Sequence, residues 1–243
     1  MIKVIWVVLP DEDQLNDGLS KLYLLDSQEL NTFNQYKVNF KKLEFLTGRL
    51  LVKEWIGRRL GVPPQFIKLQ KNVYGKPFLD YRCIPVSSPP LFFNLSNTKQ
   101  LVIVAFHERP EIGVDVEQTD AYDFNIMPQI FTEAEIESVN EQNTHVDRIN
   151  EFFRLWTRKE ALMKAEGLGF SMSPLSFTVP IAPERVENAE YVWETFVPTP
   201  GYIASVVVRK EDGLSIQFEG HEISWGDLFS RDISWIDSVY WTK

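Results

Sequence analysis

Cysteine is nearly absent from these 243 residues: Cys83 stands alone, which excludes an intrachain disulfide, a CxxC redox motif and a cysteine zinc cluster. A reducing cytoplasm is the compartment such usage fits. Histidine is almost as scarce, and His107, His145 and His221 lie too far apart for metal-ligand spacing. Long apolar runs are missing as well. The run Val4 to Leu9 is too short for a signal-peptide core, ends at Pro10-Asp11-Glu12-Asp13 and reads as a buried strand; no segment approaches membrane-spanning length, so no membrane association is expected. There is no Gly-rich phosphate loop, and the elements do not alternate with the beat of a dinucleotide-binding fold.

Basic residues are outnumbered, 25 to 34, and the net charge of −9 excludes a general nucleic-acid binder, whose affinity comes from lysine and arginine displacing counterions. A polyanion site, if there is one, must be local. One segment offers it, with Lys37, Lys41, Lys42, Arg49, Lys53, Arg58 and Arg59 close together; for most of these a solvated helix face is the simpler reading.

What is present is the composition of a folded protein, 44% hydrophobic and 24% charged with 14 prolines spread through the chain. The length permits two lobes, and a polar break at Glu108-Arg109-Pro110-Glu111 divides an N-terminal lobe, 1–108, from a C-terminal lobe, 109–243. Leu43, Leu46 and Leu50 predict a helix from Phe40 to Leu60 closed by Gly61. A strand is expected to begin within Phe66 to Leu69, a turn at Tyr74-Gly75-Lys76-Pro77, and two strands at Leu91 to Ser96 and Leu101 to Phe106. In the second lobe Thr132 with Glu135 forms a capping box, then come a long helix, a turn at Gly167, a strand at Ser176 to Val179 and a last strand from Tyr202 to Val208. Lys53-Glu54 with Gly61 recurs as Lys159-Glu160 with Gly167, a hint of two similar lobes. Ile223-Ser224-Trp225 recurs as Ile233-Ser234-Trp235 in an aromatic tail suited to capping a core.

The chemistry concentrates in Gly113-Val114-Asp115-Val116-Glu117 and in Trp156-Thr157-Arg158-Lys159-Glu160-Ala161-Leu162-Met163-Lys164. On a strand, Asp115 and Glu117 project from one face while Ile112, Val114 and Val116 form the other. On a helix, Trp156, Glu160 and Lys164 recur every fourth residue along one face. Three carboxylates gathered in one place repel, and a hard cation such as magnesium, shared with a substrate phosphate, relieves that repulsion. Taken singly, each motif is better explained without function, as the solvated face of an edge strand and an ordinary helical ion pair; it is their joint occurrence that changes the reading.

In order along the chain stand Gly75-Lys76-Pro77, Phe93-Asn94-Leu95-Ser96, Gly113 to Glu117, Phe131 with Glu135, Trp156 with Lys159-Glu160-Ala161 and Lys164, and Pro200-Gly201-Tyr202. This series resembles the 4′-phosphopantetheinyl transferases of the Sfp type. The resemblance implies an α+β fold of two similar lobes about a pseudo-twofold axis, clasping coenzyme A at their junction. It implies transfer of phosphopantetheine to a serine of an acyl or peptidyl carrier protein, releasing adenosine 3′,5′-bisphosphate. Magnesium would be held by Asp115, Glu117 and Glu160. Glu160 would take the serine proton, with Asp115 or a bound water as the alternative, and Lys164 would meet the leaving phosphate. Coenzyme contacts are expected from Lys41, Lys42, Arg49, Lys76, Pro77, Ser96, Asn97 and Thr98. A monomer is implied, since both lobes lie in one chain.

Two positions depart from the family pattern: Asn97 stands where histidine is usual and Glu44 where many members have arginine. Both remove positive charge from the coenzyme site, so weaker coenzyme binding is expected. A catalytically degenerate member that binds coenzyme A or a carrier protein is the alternative reading; an unrelated magnesium phosphohydrolase or nucleotidyltransferase finds no supporting motif.

Overall fold

The computed structural model describes all residues except 12–14, 86, 121–122, 184, 211–216 and 230–243, so the Ile233-Ser234-Trp235 part of the tail lies outside the described residues. Two four-stranded sheets and two long helices form the framework of the chain. The first sheet contains β1 (Ile2–Val8), β4 (Phe92–Thr98), β5 (Leu101–His107) and β10 (Phe218–Glu222) in the order β10-β1-β5-β4. The second contains β6 (Ile112–Gln118), β7 (Val186–Glu187), β8 (Tyr191–Phe196) and β9 (Tyr202–Arg209) in the order β6-β9-β8-β7. A separate hairpin pairs β2 (Leu69–Lys71) with β3 (Pro77–Leu79). The helices are α1 (Leu15–Leu19), α2 (Ser27–Gln35), α3 (Asn39–Leu60), α4 (Met127–Ile130), α5 (Glu133–Asn140), α6 (His145–Glu166) and α7 (Trp225–Phe229).

Strand alternation sorts side chains into layers. Ile2 and Val4 of β1 with Ile103 and Ala105 of β5 turn inward to meet Val114, Val116, Val206 and Val208 of the second sheet. Ile5, Val7, Val104 and Phe106 turn outward to Leu43, Leu46, Leu50 and Trp55 of α3, where the Trp55 and Phe106 rings stack at 4.0 Å. Ala161, Leu162 and Ala165 of α6 cover Val207 and Trp193 on the far face of the second sheet. The order is helix, sheet, sheet, helix. Each fully buried leucine or valine in these layers contributes roughly 1.5 to 3 kcal/mol.

The two helix layers are built alike, down to the numbering. Asp26 caps α2, and Glu29 three residues on returns a bond to the Asp26 amide at 3.1 Å. Thr132 caps α5, and Glu135 accepts from the Thr132 amide at 2.8 Å. Each capping glutamate also grips a fully buried lysine on the long helix that follows: Glu29 pairs with Lys53 at 2.5 Å and Glu135 with Lys159 at 2.9 Å. The long helices, 22 residues each, close on glycines in the left-handed region, Gly61 at φ 67° and Gly167 at φ 69°. Every one of these pairs, from Asp26 and Thr132 to Gly61 and Gly167, is separated by the same 106 positions.

The structure departs from the sequence expectations in two places. No strand forms at Ser176 to Val179; Pro174–Ser176 is a single 3-10 turn, and the Phe177 carbonyl and Val179 amide bond to Lys159 and Glu135 instead of to a sheet. The strand from Tyr202 is not the last either. β10 crosses back to run parallel to β1 and complete the first sheet, and Ile223, Trp225, Leu228 and Phe229 pack on the core under α3. Among the described residues no helix is long and apolar enough to cross a membrane.

Candidate active site

Edge strands β4 and β6 lie side by side without a backbone ladder between them, joined by side chains. The Asn94 side-chain Oδ1 accepts from the Val114 amide at 2.9 Å, the Ser96 hydroxyl donates to Asp115 Oδ1 at 2.9 Å, and the Thr98 hydroxyl donates to Glu117 Oε2 at 3.2 Å. Period-two alternation puts Asn94, Ser96 and Thr98 on one face of β4, aimed at this seam. Asn97 between them points the other way, toward solvent and a cavity.

Helix α6 lies across the same seam because Gly113 lets it. A Cβ at that position would stand 1.9 Å from the Ala161 carbonyl oxygen and 2.5 Å from the Ala165 nitrogen, so only glycine permits the helix backbone to rest on β6. That approach carries Trp156, Glu160 and Lys164 to the strand carboxylates. Lys164 Nζ donates to Asp115 Oδ1 at 2.6 Å and to Ser96 Oγ at 2.8 Å, and Trp156 hydrogen-bonds Glu117. Beneath, Thr157 Oγ1 and Ser205 Oγ are 2.8 Å apart, and Ser205 is the cross-strand partner of Asp115.

The charges in this cluster are unbalanced. Burial, then the Asp115 charge, pushes Glu160 up to about 7, with Lys164 opposing and Glu117 adding to the rise. Glu117 is raised too, first by burial and then by Asp115. Asp115 Oδ2 and Glu160 Oε1 are buried with no hydrogen-bond partner. Such oxygens are the hard donors that a divalent cation takes. As the side chains stand, no group of three His, Cys, Asp or Glu among the described residues has the geometry to hold a metal ion. Asp115 is drawn to Lys164, and Glu117 to Thr98 and Trp156.

The expected coenzyme contacts divide between several surroundings. Lys41, Arg49, Pro77 and Asn97 line one cavity of about 310 Å³, together with Glu44, Tyr36 and Lys71. A second cavity of about 400 Å³ adjoins it and shares Arg49, Lys71 and Pro77. Ser96 and Thr98 face the carboxylates instead, and the Lys42 ammonium sits 5.5 Å from the centre of the Phe33 ring. Lys76 is half-buried, and its ammonium donates to the Ala165 carbonyl at 2.9 Å and the Ile112 carbonyl at 3.1 Å; desolvation lowers its pKa to about 8. Its role here is to fasten the β2–β3 hairpin to the end of α6, which Asn72 reinforces by donating to the Gly167 carbonyl at 2.9 Å.

The sequence spacing points Asp115, Glu117, Trp156, Glu160 and Lys164 to one place, whereas Asn94 and Gly113, though part of the quoted motifs, carried no role of their own. The small residue opening an acidic strand was the available signal for Gly113. Nothing local signals Asn94, whose partner lies 20 residues on.

Comparison with known proteins gives two family matches that meet between β5 and β6. A model described as 4′-phosphopantetheinyl transferase, N-terminal, matches residues 10–109, and the 4′-phosphopantetheinyl transferase superfamily model matches residues 111–207. The chain is 30% identical to the 4′-phosphopantetheinyl transferase gsp of Aneurinibacillus migulanus, over 74% of its own length and 71% of the relative's. It is 30% identical to the 4′-phosphopantetheinyl transferase Sfp of Bacillus subtilis (strain 168), over 69% of its length and 74% of that protein's. With the L-aminoadipate-semialdehyde dehydrogenase-phosphopantetheinyl transferase of Mus musculus it shares 28% identity and spans 62% of the relative.

Proposed function

We propose, from the premise that this chain belongs to the 4′-phosphopantetheinyl transferase superfamily, that the β4–β6–α6 seam is where the family's reaction takes place. The chain moves 4′-phosphopantetheine from coenzyme A to a serine of an apo carrier protein. The serine oxygen bonds to the phosphorus that bears the pantetheine, the bond from that phosphorus to the bridging oxygen breaks, and adenosine 3′,5′-bisphosphate leaves. The observation carrying this reading is the convergence of Ser96, Asp115, Glu117, Glu160 and Lys164 on one seam beside a cavity with basic walls.

Each side chain has a task. Glu160, with an unpartnered oxygen and a proton affinity near neutrality, accepts the serine proton. Lys164 holds Asp115 and Ser96 in register and presents its ammonium to the departing phosphate. Asp115, Glu117 and Glu160 are the residues that would hold magnesium, which when bound neutralises charge on the diphosphate. The unpartnered oxygens and the raised proton affinities of Glu117 and Glu160 support that fit. Lys41, Arg49, Pro77 and Asn97 line the space for the nucleotide end of the coenzyme. The equivalence of the two helix layers supports two lobes about a pseudo-twofold axis and a monomeric enzyme, and the unpaired Cys83 supports a cytoplasmic one.

The test is to incubate the protein with magnesium, coenzyme A and a panel of apo acyl and peptidyl carriers, and to follow the phosphopantetheine mass increment. An increment that disappears in Glu160→Ala, with the fold retained, is the expected result. Coenzyme binding without an increment on any carrier would overturn the reading in favour of a binding-only member.

A further inference from the structure

Three polar side chains lie in one row across the second sheet: Asp115 on β6 is the cross-strand partner of Ser205 on β9, and Ser205 is the partner of Thr195 on β8. Partners in such a row project from the same face of the sheet, here the face that α6 covers. The helix meets the row with Thr157 and Arg158, both fully buried. Thr157 Oγ1 lies 2.8 Å from Ser205 Oγ, Ser205 Oγ lies 2.9 Å from Thr195 Oγ1, and Arg158 Nε donates to Thr195 Oγ1 at 2.8 Å. The four side chains thus form one chain running beneath the helix.

Its ends fix the direction of every bond in it. A guanidinium N–H only donates and a carbonyl only accepts, while each hydroxyl has one proton to give. The Thr157 hydroxyl gives its proton to the Arg154 carbonyl at 3.2 Å, so Ser205 must donate to Thr157, and Thr195 to Ser205. Arg158 closes the other end and is itself held, its Nη1 donating to the Pro180 and Ala182 carbonyls at 2.6 and 2.8 Å. Two consequences reach the seam. Ser205, the neighbour of Asp115 in the row, has no proton left to offer it, and Asp115 Oδ2 is buried without a hydrogen-bond partner. The chain also pins α6 to the sheet one turn before Glu160. Beyond that pin the helix backbone at Ala161 and Ala165 rests on Gly113, a contact of small residues that allows close approach and interlocks weakly.

We propose that Thr157, Ser205, Thr195 and Arg158 are positioning residues for the transfer: their directed hydrogen-bonded chain sets the height and rotation of α6 at Glu160 and keeps the Ser205 proton away from Asp115. The inference rests on the transferase reading. Thr157, Ser205 and Arg158 are fully buried and meet no substrate, so breaking the chain lowers kcat and leaves KM for coenzyme A in place. A displacement of about 1 Å at a reacting group is enough to cost about 100-fold.

The experiment compares Thr157→Val, which keeps the shape and removes the hydroxyl, with Thr157→Ser, which keeps the hydroxyl. With coenzyme A and one apo carrier, kcat per folded molecule should fall about tenfold or more in Thr157→Val while KM for coenzyme A stays within about twofold, and Thr157→Ser should keep at least about half of the wild-type kcat. A smaller fall in the valine variant, a loss carried by KM, or a serine variant below that level overturns the proposal. Should Thr157→Val fail to fold, Thr195→Val breaks the same chain at its half-buried end and is held to the same limits on kcat and KM. If the wild-type protein modifies no carrier, the transferase reading fails instead, and the positioning of Glu160 is judged from crystal structures of the wild type and the valine variant. A shift of its carboxylate by about 1 Å or more supports the chain's role, and a smaller one overturns it.

Discussion

Glu54 and Glu160 occupy the same place in the two halves, each next to a buried lysine held by a capping glutamate, each seven residues before a left-handed glycine. Their surroundings are opposite. Glu54 is buried against Lys21, whose ammonium reaches it from the preceding loop at 3.2 Å. Glu160 faces Asp115 and Glu117, and its proton affinity rises to about 7. One scaffold thus carries an acid whose counter-charge is covalently part of the chain and an acid whose counter-charge is insufficient. The first serves stability; the second leaves charge unmatched, the mark of a group kept for chemistry.

Exchanging roles is the strongest way to break this comparison. Glu160→Ala should lower transfer about 10³-fold or more without lowering the unfolding free energy. Glu54→Ala should do the reverse, costing about 3 kcal/mol in chemical denaturation because Lys21 is left buried and unmatched, with turnover per folded molecule nearly preserved. Loss of turnover in both variants at equal stability would erase the distinction. Next in size are the lysines beneath. Lys159→Met strands the buried Glu135 and should cost about 3 to 5 kcal/mol, part of which Glu135→Gln should recover. Lys53→Met leaves Glu29 with Arg49 at 3.0 Å and should cost less, and equal losses for the two lysines would show that Arg49 adds nothing to the first half's device.

Gly113→Ala probes what belongs to the second half alone. Its added methyl meets the backbone of α6, so the helix must lift, and transfer should fall about 100-fold as Glu160 and Lys164 leave alignment. The smallest effect is a gain. Because Glu160 binds its proton more tightly folded than unfolded, its contribution to stability is full below about pH 4.5 and is lost as pH rises through about 7. Glu160→Gln should therefore stabilise the metal-free protein by roughly 1 to 2 kcal/mol at pH 8 and by nearly nothing at pH 4, read by denaturation at each pH. Glu54→Gln, deprived of its Lys21 partner, should destabilise instead.

Periodicity made much of the site readable before any coordinates. Asp115 and Glu117 share a strand face, Trp156, Glu160 and Lys164 share a helix face, and Gly61 and Gly167 end their helices, all from spacing within one element. The repeat of Lys-Glu and glycine was visible as a faint echo. Its meaning was not, because the burial of Lys53 and Lys159 depends on glutamates 24 residues earlier. Lys76 shows the limit most plainly. A lysine on a Gly-Lys-Pro turn looks available to a phosphate, yet the carbonyls that take its ammonium belong to Ile112 and Ala165, far along the chain. The return of β10 to β1 is equally long-range and has no local sign.

The fastening of that hairpin has mechanical consequences. Lys71, Gly75 and Pro77 form part of the rim of the cavity beside the seam, while Lys76 and Asn72 between them bolt the same turn to the end of α6. Whatever fills that cavity bears on a turn anchored to the same helix that carries Glu160 and Lys164, so the bolts at Lys76 and Asn72 make the rim and the acid parts of one rigid frame.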